Sequence, residues 1–352
     1  FDLKCALRYG SIINLDDIDG LENMMIGINS SASLTVPNLI SFRLNPMVGK
    51  TDSETASNLL GGADTKFGIP VTKIVDAYSK AKEYGVEKFG IHVMTGSCIM
   101  DPLYWKQLID LLFVTINDIY IKLGICMEFI DLGGGIGIPY KPDVQPIDLE
   151  QLAQIISSSI SDNIVKYSLP FQPDILMENG RYITGPYGWL ISRCHSIKIG
   201  YNDAKFYGLD ACMANLMRPG MYGAYHHITV PRLQLSVDTE EVNIVGTLCE
   251  NNDWFAKNRK MPKGIQKQDI YVIHDCGAHS HCMGFQYNGK LRSGEVGITR
   301  TSQTPQICDV IQISQTPQIC DVTTKCIREP ERKKDMLHTQ LNVSYKEHII
   351  KA

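Results

Sequence analysis

The chain lacks a long apolar run: none of its 352 residues falls in a stretch of about 20 predominantly hydrophobic positions, so a membrane-spanning helix is not expected. It lacks an excess of positive charge. Lys and Arg number 34 against 38 Asp and Glu, a net charge of −4, which leaves no basic footprint for nucleic acid. Its eleven cysteines are scattered without Cys-x-x-Cys or four-ligand spacing. That argues against a zinc centre and a disulfide framework and for reduced thiols in the cytoplasm, with a plastid as the alternative in a photosynthetic eukaryote. No secretory signal is read at the start. What is present is an ordinary apolar fraction, 44%, enough for a substantial core in one large domain or two.

The most informative segment is Asp131-Leu-Gly-Gly-Gly-Ile-Gly-Ile138. An apolar run (Ile125, Met127, Phe129, Ile130) precedes it, so the glycines sit at the C-terminal end of an expected buried strand. Three consecutive glycines let backbone approach a ligand closely and leave N–H groups to point at an anion. The bland alternative is a tight turn or bulge. The dinucleotide fingerprint does not fit, because its third glycine would fall at Ile138.

Short apolar runs at Ile12–Leu15, Ile40–Leu44, Phe89–Met94, Phe129–Leu132 and Ile175–Met177 alternate with amphipathic stretches such as Val71–Tyr84 and Leu149–Ser159. Strand, helix, strand at this spacing predicts an α/β fold, a parallel sheet wrapped by helices with its site beyond the strand ends. The character changes near Ser196, where short β-branched and aromatic runs with turn signals begin. We therefore expect a parallel α/β domain over residues 1–195, which the resemblance given below makes a partial (β/α) barrel, a β-rich domain over 196–300 and a weakly ordered tail over 301–352. The tail repeats Ser-Gln-Thr-Pro-Gln-Ile-Cys-Asp-Val from Ser302 and Ser314. His226-His227 is expected as a solvated pair, and His274, Cys276, His279, His281 and Cys282 form a ligand-rich but weakly spaced segment.

Six strings occur in one order: Gly90-Ile-His-Val-Met-Thr-Gly-Ser97, Asp131-Leu-Gly-Gly-Gly135, Glu178-Asn-Gly-Arg181, Arg218-Pro-Gly-Met-Tyr222, Cys249-Glu250 and Asp275-Cys-Gly-Ala-His279. Together they resemble the pyridoxal-phosphate-dependent decarboxylases of the alanine-racemase-like barrel class, and among them most closely the diaminopimelate group. The resemblance runs from about Ile12 to Val296. It implies a (β/α)8-type barrel followed by a β domain that contributes to substrate binding and to a homodimer with shared sites. It implies pyridoxal 5'-phosphate as cofactor, held at its phosphate by Gly133, Gly134, Gly135, Ser97, Gly180 and Arg181, with His279 where a tyrosine often contacts phosphate. Glu178 would face the pyridine nitrogen, Arg43 would lie below the ring, and Met94 would stand where a stacking histidine is usual. Arg181, Arg218, Tyr222, His279 and Glu250 would bind the amino-acid substrate, and Cys249, reaching across the dimer with Glu250, would donate a proton. The implied reaction converts meso-diaminopimelate to L-lysine and carbon dioxide; an ornithine- or arginine-type decarboxylase is the neighbouring possibility.

The same family holds its cofactor on a lysine before an Ala-Asn at the end of the first barrel strand, and no such lysine is found. Lys4 lies only a few residues before the run at Ser11–Leu15, too close for an intervening helix. Phe1–Gly10 reads as the helix before the fourth barrel strand. The expectation is thus about five of eight strands and either a fragment of an enzyme or a catalytically inactive homologue that acts by protein–protein binding.

Overall fold

The structure is a computed structural model and describes residues 2–51, 60–300, 322–333 and 335. Five parallel strands lie side by side in sequence order: Ile13–Leu15, Leu39–Asn45, Lys88–Val93, Met127–Asp131 and Asp174–Leu176. The two-residue strand Ile69–Pro70 extends the pairing of the second. Each crossover carries a helix, in turn Ile18–Asn29, Ile74–Glu83, Leu103–Leu123 and Leu149–Lys166. A parallel sheet in which every strand neighbours its predecessor is the layout of a (β/α) barrel. The five apolar runs each become a strand, and Asp2–Arg8 is helical. No helix among the described residues is long and apolar enough to cross a membrane.

Local chemistry sets the helix limits. The Asp17 carboxylate accepts from Gly20 N–H at 2.5 Å, and that of Asp148 from Glu150 and Gln151 N–H at 2.9 and 3.1 Å, supplying acceptors that a first helical turn lacks. Gly124, at φ 65°, ends Leu103–Leu123 in the left-handed region. That helix buries Tyr104, Trp105, Leu108, Ile109, Leu112, Phe113, Ile116 and Ile119, a three-and-four spacing that turns one face to the sheet. Removing one such aromatic, as in Phe113→Ala, costs about 3–5 kcal/mol.

The strands are locked in register near their centres. The Tyr78 hydroxyl donates to the Gly90 carbonyl at 2.7 Å, and its ring meets Phe42 and Phe89 edge-on at 5.1 and 5.6 Å. A Cβ at Gly90 would fall 2.2 Å from the Phe129 ring, so only glycine fits between these strands. This packing fixes the height of His92, two residues further on.

A second, mixed sheet follows, with strands in the order Ile228–Thr229, Ile270–Ile273, Leu190–Ile199, Lys205–Leu209, Thr239–Val245 and Trp254–Pro262. Lys205–Leu209 pairs parallel with Thr239–Val245 and the other pairs are antiparallel. Its own core includes Cys194, Tyr207, Leu209, Val242, Ile244, Phe255, Tyr271 and Ile273. The strand Leu190–Ile199 runs across Ser196. Of the tail, the part we expected to be weakly ordered includes one formed element: Val322–Arg328 pairs antiparallel with Glu295–Arg300. Val322-Thr-Thr-Lys-Cys-Ile-Arg328 is rich in β-branched residues without apolar alternation, a weak strand signal beside the preceding repeat. The repeat over 302–322 lies outside the described residues apart from Val322.

Candidate active site

The functional side chains gather where the parallel strands end. Glu178 follows the last strand, and its backbone N–H donates to the Gly133 carbonyl at 2.8 Å. The glycine tip and the acid are therefore neighbours. Gly133 and Gly135 have φ of 65° and 113°, open to glycine and strained for other residues. A Cβ at Gly133 would lie 2.4 Å from the Val93 carbonyl oxygen, and one at Gly134 would lie 2.4 Å from that of Glu178. The triplet thus serves the close approach of strand tips as well as any ligand.

The amides of the tip are less free than the sequence suggests. Gly133 N–H donates to Asp131 Oδ1 at 2.8 Å, and Gly134 N–H to Met94 Sδ at 3.1 Å. Gly180 N–H is likewise turned back to the Glu178 carbonyl at 3.0 Å. The Gly133 and Gly180 amides turn inward because short loops satisfy their own donors when an acceptor stands two residues away. Gly135 N–H meets no protein acceptor among the described residues, and a thioether is a weak acceptor that an anion displaces. Two amides, those of Gly134 and Gly135, are therefore available to a ligand.

Beside them stands a cationic wall. Arg181, on the short helix Gly180–Thr184, donates to Ser97 Oγ at 3.0 Å and to the Tyr140 hydroxyl at 2.5 Å. Arg218 begins the helix Arg218–Tyr222, is 4% exposed and lies 4.6 Å over the Tyr140 ring. Among the described residues neither guanidinium is in a salt bridge. Two cations held by neutral partners make an anion site, and a guanidinium fork suits carboxylate or phosphate. His279 is exposed but close enough to both that desolvation, then the charges of Arg181 and Arg218, push it down to about 4. Asp275, half-buried near Arg218, is pushed up by desolvation to about 6.

The acidic side holds Glu178, Asp131 and His92. Burial, then the neighbouring Asp131, raises the Glu178 carboxyl above its ordinary value, and Arg43 pulls it back. Arg43 donates to the Met94 carbonyl at 3.1 Å, approaches Asp16 at 3.8 Å and lies 4.5 Å over the Phe67 ring. Ligand-type atoms of His92, Asp131 and Glu178 lie within 4.8 Å of one another. The expected ligand-rich segment of the β domain does not converge: His274 Nε2 bonds Thr229 Oγ1 at 2.9 Å, His281 Nε2 bonds the Ser293 carbonyl at 3.3 Å, and Cys276 Sγ turns to the Ile273 carbonyl at 3.3 Å.

Sequence reasoning missed Tyr140, His92 and His226. Tyr140 follows Gly137-Ile-Pro139 with no periodic signal. His226 is a further correction: it is fully buried, accepts from Arg218 at Nε2 (2.7 Å) and reaches the His274 carbonyl through Nδ1 (2.8 Å). Burial and Arg218 push it down to about 3, so it is neutral, not solvated. Three expected residues stand apart from the cleft contacts given above. Cys249 and Glu250 are exposed on the turn before Asp253, where Glu250 Oε1 accepts from Asn252 N–H at 3.1 Å. Tyr222 lies one turn along the helix from Arg218, half-buried.

The family model "Pyridoxal-dependent decarboxylase, C-terminal sheet domain" matches residues 39–277. The chain is 37% identical over 310 residues to the diaminopimelate decarboxylase of Methanothermobacter thermautotrophicus, covering 86% of this chain and 70% of that one. It is 36% identical over 310 residues to Protein TabA of Pseudomonas amygdali pv. tabaci, covering 87% and 68%. A solved diaminopimelate decarboxylase from M. jannaschii in co-complex with L-lysine superposes with a TM-score of 0.75 at 25% identity, over 96% of this chain and 71% of that chain. With more than half of its length matched by the family model and two-thirds or more of these relatives spanned, the chain belongs to the pyridoxal-dependent decarboxylases.

Proposed function

We propose that this chain carries the phosphate- and ring-binding walls of a pyridoxal-phosphate-dependent decarboxylase acting on meso-diaminopimelate to give L-lysine and carbon dioxide. The observation that carries this reading is the 2.8 Å bond from Glu178 N–H to the Gly133 carbonyl, which sets a carboxylate beside an anion-binding loop.

The donor set fits the cofactor. Gly134 and Gly135 N–H, Ser97 Oγ and Arg181 offer hydrogen bonds to a phosphate, and Glu178 offers an acceptor for a protonated ring nitrogen. An opposite charge nearby keeps such a nitrogen protonated. Pyridoxal phosphate, when bound, supplies an electron sink for the carbanion left as carbon dioxide departs. The chain's own residues do the rest. Arg43 holds the Met94 carbonyl and lends positive charge to Glu178. Arg218 and His279 face the space where a substrate carboxylate would be held, and Tyr140 keeps the two guanidinium groups apart.

Cys249 and Glu250 are exposed on this chain, which agrees with service in a partner's site across a homodimer. There Cys249 would deliver a proton to the carbanion and Glu250 would take the distal ammonium. Tyr222 would add a hydroxyl to the substrate pocket. The test is carbon dioxide release by the protein expressed from its own gene, supplied with pyridoxal phosphate. Release from meso-diaminopimelate and not from L-ornithine or L-arginine is expected; preference for ornithine would overturn the role given to Glu250.

A further inference from the structure

Of the buried side-chain polar atoms without a hydrogen-bond partner among the described residues, His92 Nε2 is the one that lies against Glu178. His92 is 5% exposed and its Nε2 meets no hydrogen-bond partner among the described residues. That nitrogen faces Glu178 Oε2 at 3.8 Å, longer than a hydrogen bond. A buried polar atom left unpaired is costly, so its retention here points to a partner it meets when the site is in use.

The other face of the ring is fixed by a relay. Ser41 Oγ–H donates to Asn14 Oδ1 at 2.7 Å, which turns the Asn14 amide nitrogen to His92 Nδ1 at 3.1 Å. An amide nitrogen only donates, so Nδ1 accepts and Nε2 carries the hydrogen. Ser41, Asn14 and His92 stand on three adjacent strands whose pairing sets these distances: Asn14 opposite Ser41, and Arg43 opposite His92. The charged groups around the ring are Glu178, Asp131, Asp16 and Arg43. Two carboxylates on the Nε2 side favour the hydrogen there.

We infer that His92 is a positioning residue which, through a neutral imidazole with its hydrogen on Nε2, holds the Glu178 carboxylate oriented toward the cofactor ring nitrogen. This rests on the reading of Glu178 given above. His92 does not touch substrate. Its work is to fix, together with the neighbouring Asp131, the rotamer of an acid that is 58% exposed in its side chain.

Two measurements test it. In the first, 15N-histidine spectra of the chain without cofactor at pH 7–8 are assigned by loss of a signal in His92→Gln. A neutral imidazole with its hydrogen on Nε2, whose Nε2 signal moves in Glu178→Gln, is expected. The opposite tautomer, or no response to Glu178→Gln, would overturn the inference. In the second, pyridoxal phosphate affinity is measured by equilibrium dialysis for two variants. Glutamine places an N–H near the Nε2 position and should bind within about threefold of the parent, whereas His92→Phe keeps the bulk, lacks the donor and should bind about tenfold more weakly, the size of one charge-assisted hydrogen bond. Equal loss in both variants would show a merely structural histidine, and no loss in either would show no role. Should the unsubstituted chain bind no pyridoxal phosphate, the functional reading falls, and the spectrum alone decides the coupling of His92 to Glu178. If a divalent metal such as zinc, added alone, shifts both His92 nitrogens at stoichiometric concentration, the three-ligand grouping is a cation site and the inference fails.

Discussion

Gly134 and Glu178 pack so closely that a methyl group on the glycine would lie 2.4 Å from the Glu178 carbonyl oxygen. Backbone cannot yield there without moving the strand tip that carries the acid. Gly134→Ala should therefore destabilise the chain by about 1–3 kcal/mol, the usual cost of overpacking. It should also abolish cofactor binding, because the displaced tip no longer presents its amides. Urea denaturation together with a pyridoxal phosphate titration checks both effects; unchanged binding would separate the tip from the cofactor.

Glu178 should trade stability for function. Its carboxyl is raised by burial and by Asp131, so the folded chain holds that proton more tightly than the unfolded chain does. Stability at this site is then fully present at low pH and is lost as pH rises through the raised value. Glu178→Gln removes the loss. The variant should melt at a higher temperature than the parent at pH 8, with the gap closing toward pH 4. The same variant should bind pyridoxal phosphate at least about tenfold more weakly, one pKa unit's worth of charge pairing. A variant less stable than the parent at pH 8 would contradict this.

His226 predicts acid sensitivity of the opposite sense. Its folded value of about 3 lies below the ordinary 6.5, so the unfolded chain takes up a proton that the fold refuses. Stability is intact above pH 6.5 and falls between there and pH 3, by about 1.4 kcal/mol per pH unit at most. In His226→Gln, whose amide oxygen still accepts from Arg218, the slope of stability against pH over that window should flatten. Denaturant midpoints between pH 4 and pH 7 measure it.

Sharing of sites across a dimer has a quantitative signature. Glu178→Gln and Cys249→Ser chains should each be poorly active alone. Unfolded and refolded together, about half of the dimers are mixed and each has one intact site, so activity should return to about a quarter of the parent's. No recovery would place Cys249 in its own chain's site or outside the reaction.

The parallel strands were legible because each is a short apolar run closed by a turn residue, and the pattern needs no tertiary information. The second sheet was legible as β-rich, but its mixed order depends on which strands meet, as with Lys205–Leu209 beside Thr239–Val245, and no local pattern records that. At the site, Arg181, Ser97, Glu178 and the glycine tip could be named from motifs. The state of their donors could not. Whether Gly133 N–H is free depends on the Asp131 rotamer, and Gly134 N–H on a methionine 40 residues earlier. His92 needs Asn14, 78 residues away, to fix its tautomer. His226 looked solvated because histidine pairs usually are; Arg218 packed upon it makes it a buried acceptor.

On this reading the Gly133–Gly135 tip and Glu178 hold opposite ends of one pyridoxal phosphate molecule. The most direct measurement is a crystal structure of the protein with that cofactor bound. Phosphate density is expected within hydrogen-bond reach of Gly134 N–H, Gly135 N–H, Ser97 and Arg181, with the ring nitrogen facing the Glu178 carboxylate. Cofactor bound elsewhere, or phosphate at the tip with the ring turned away from Glu178, would contradict it.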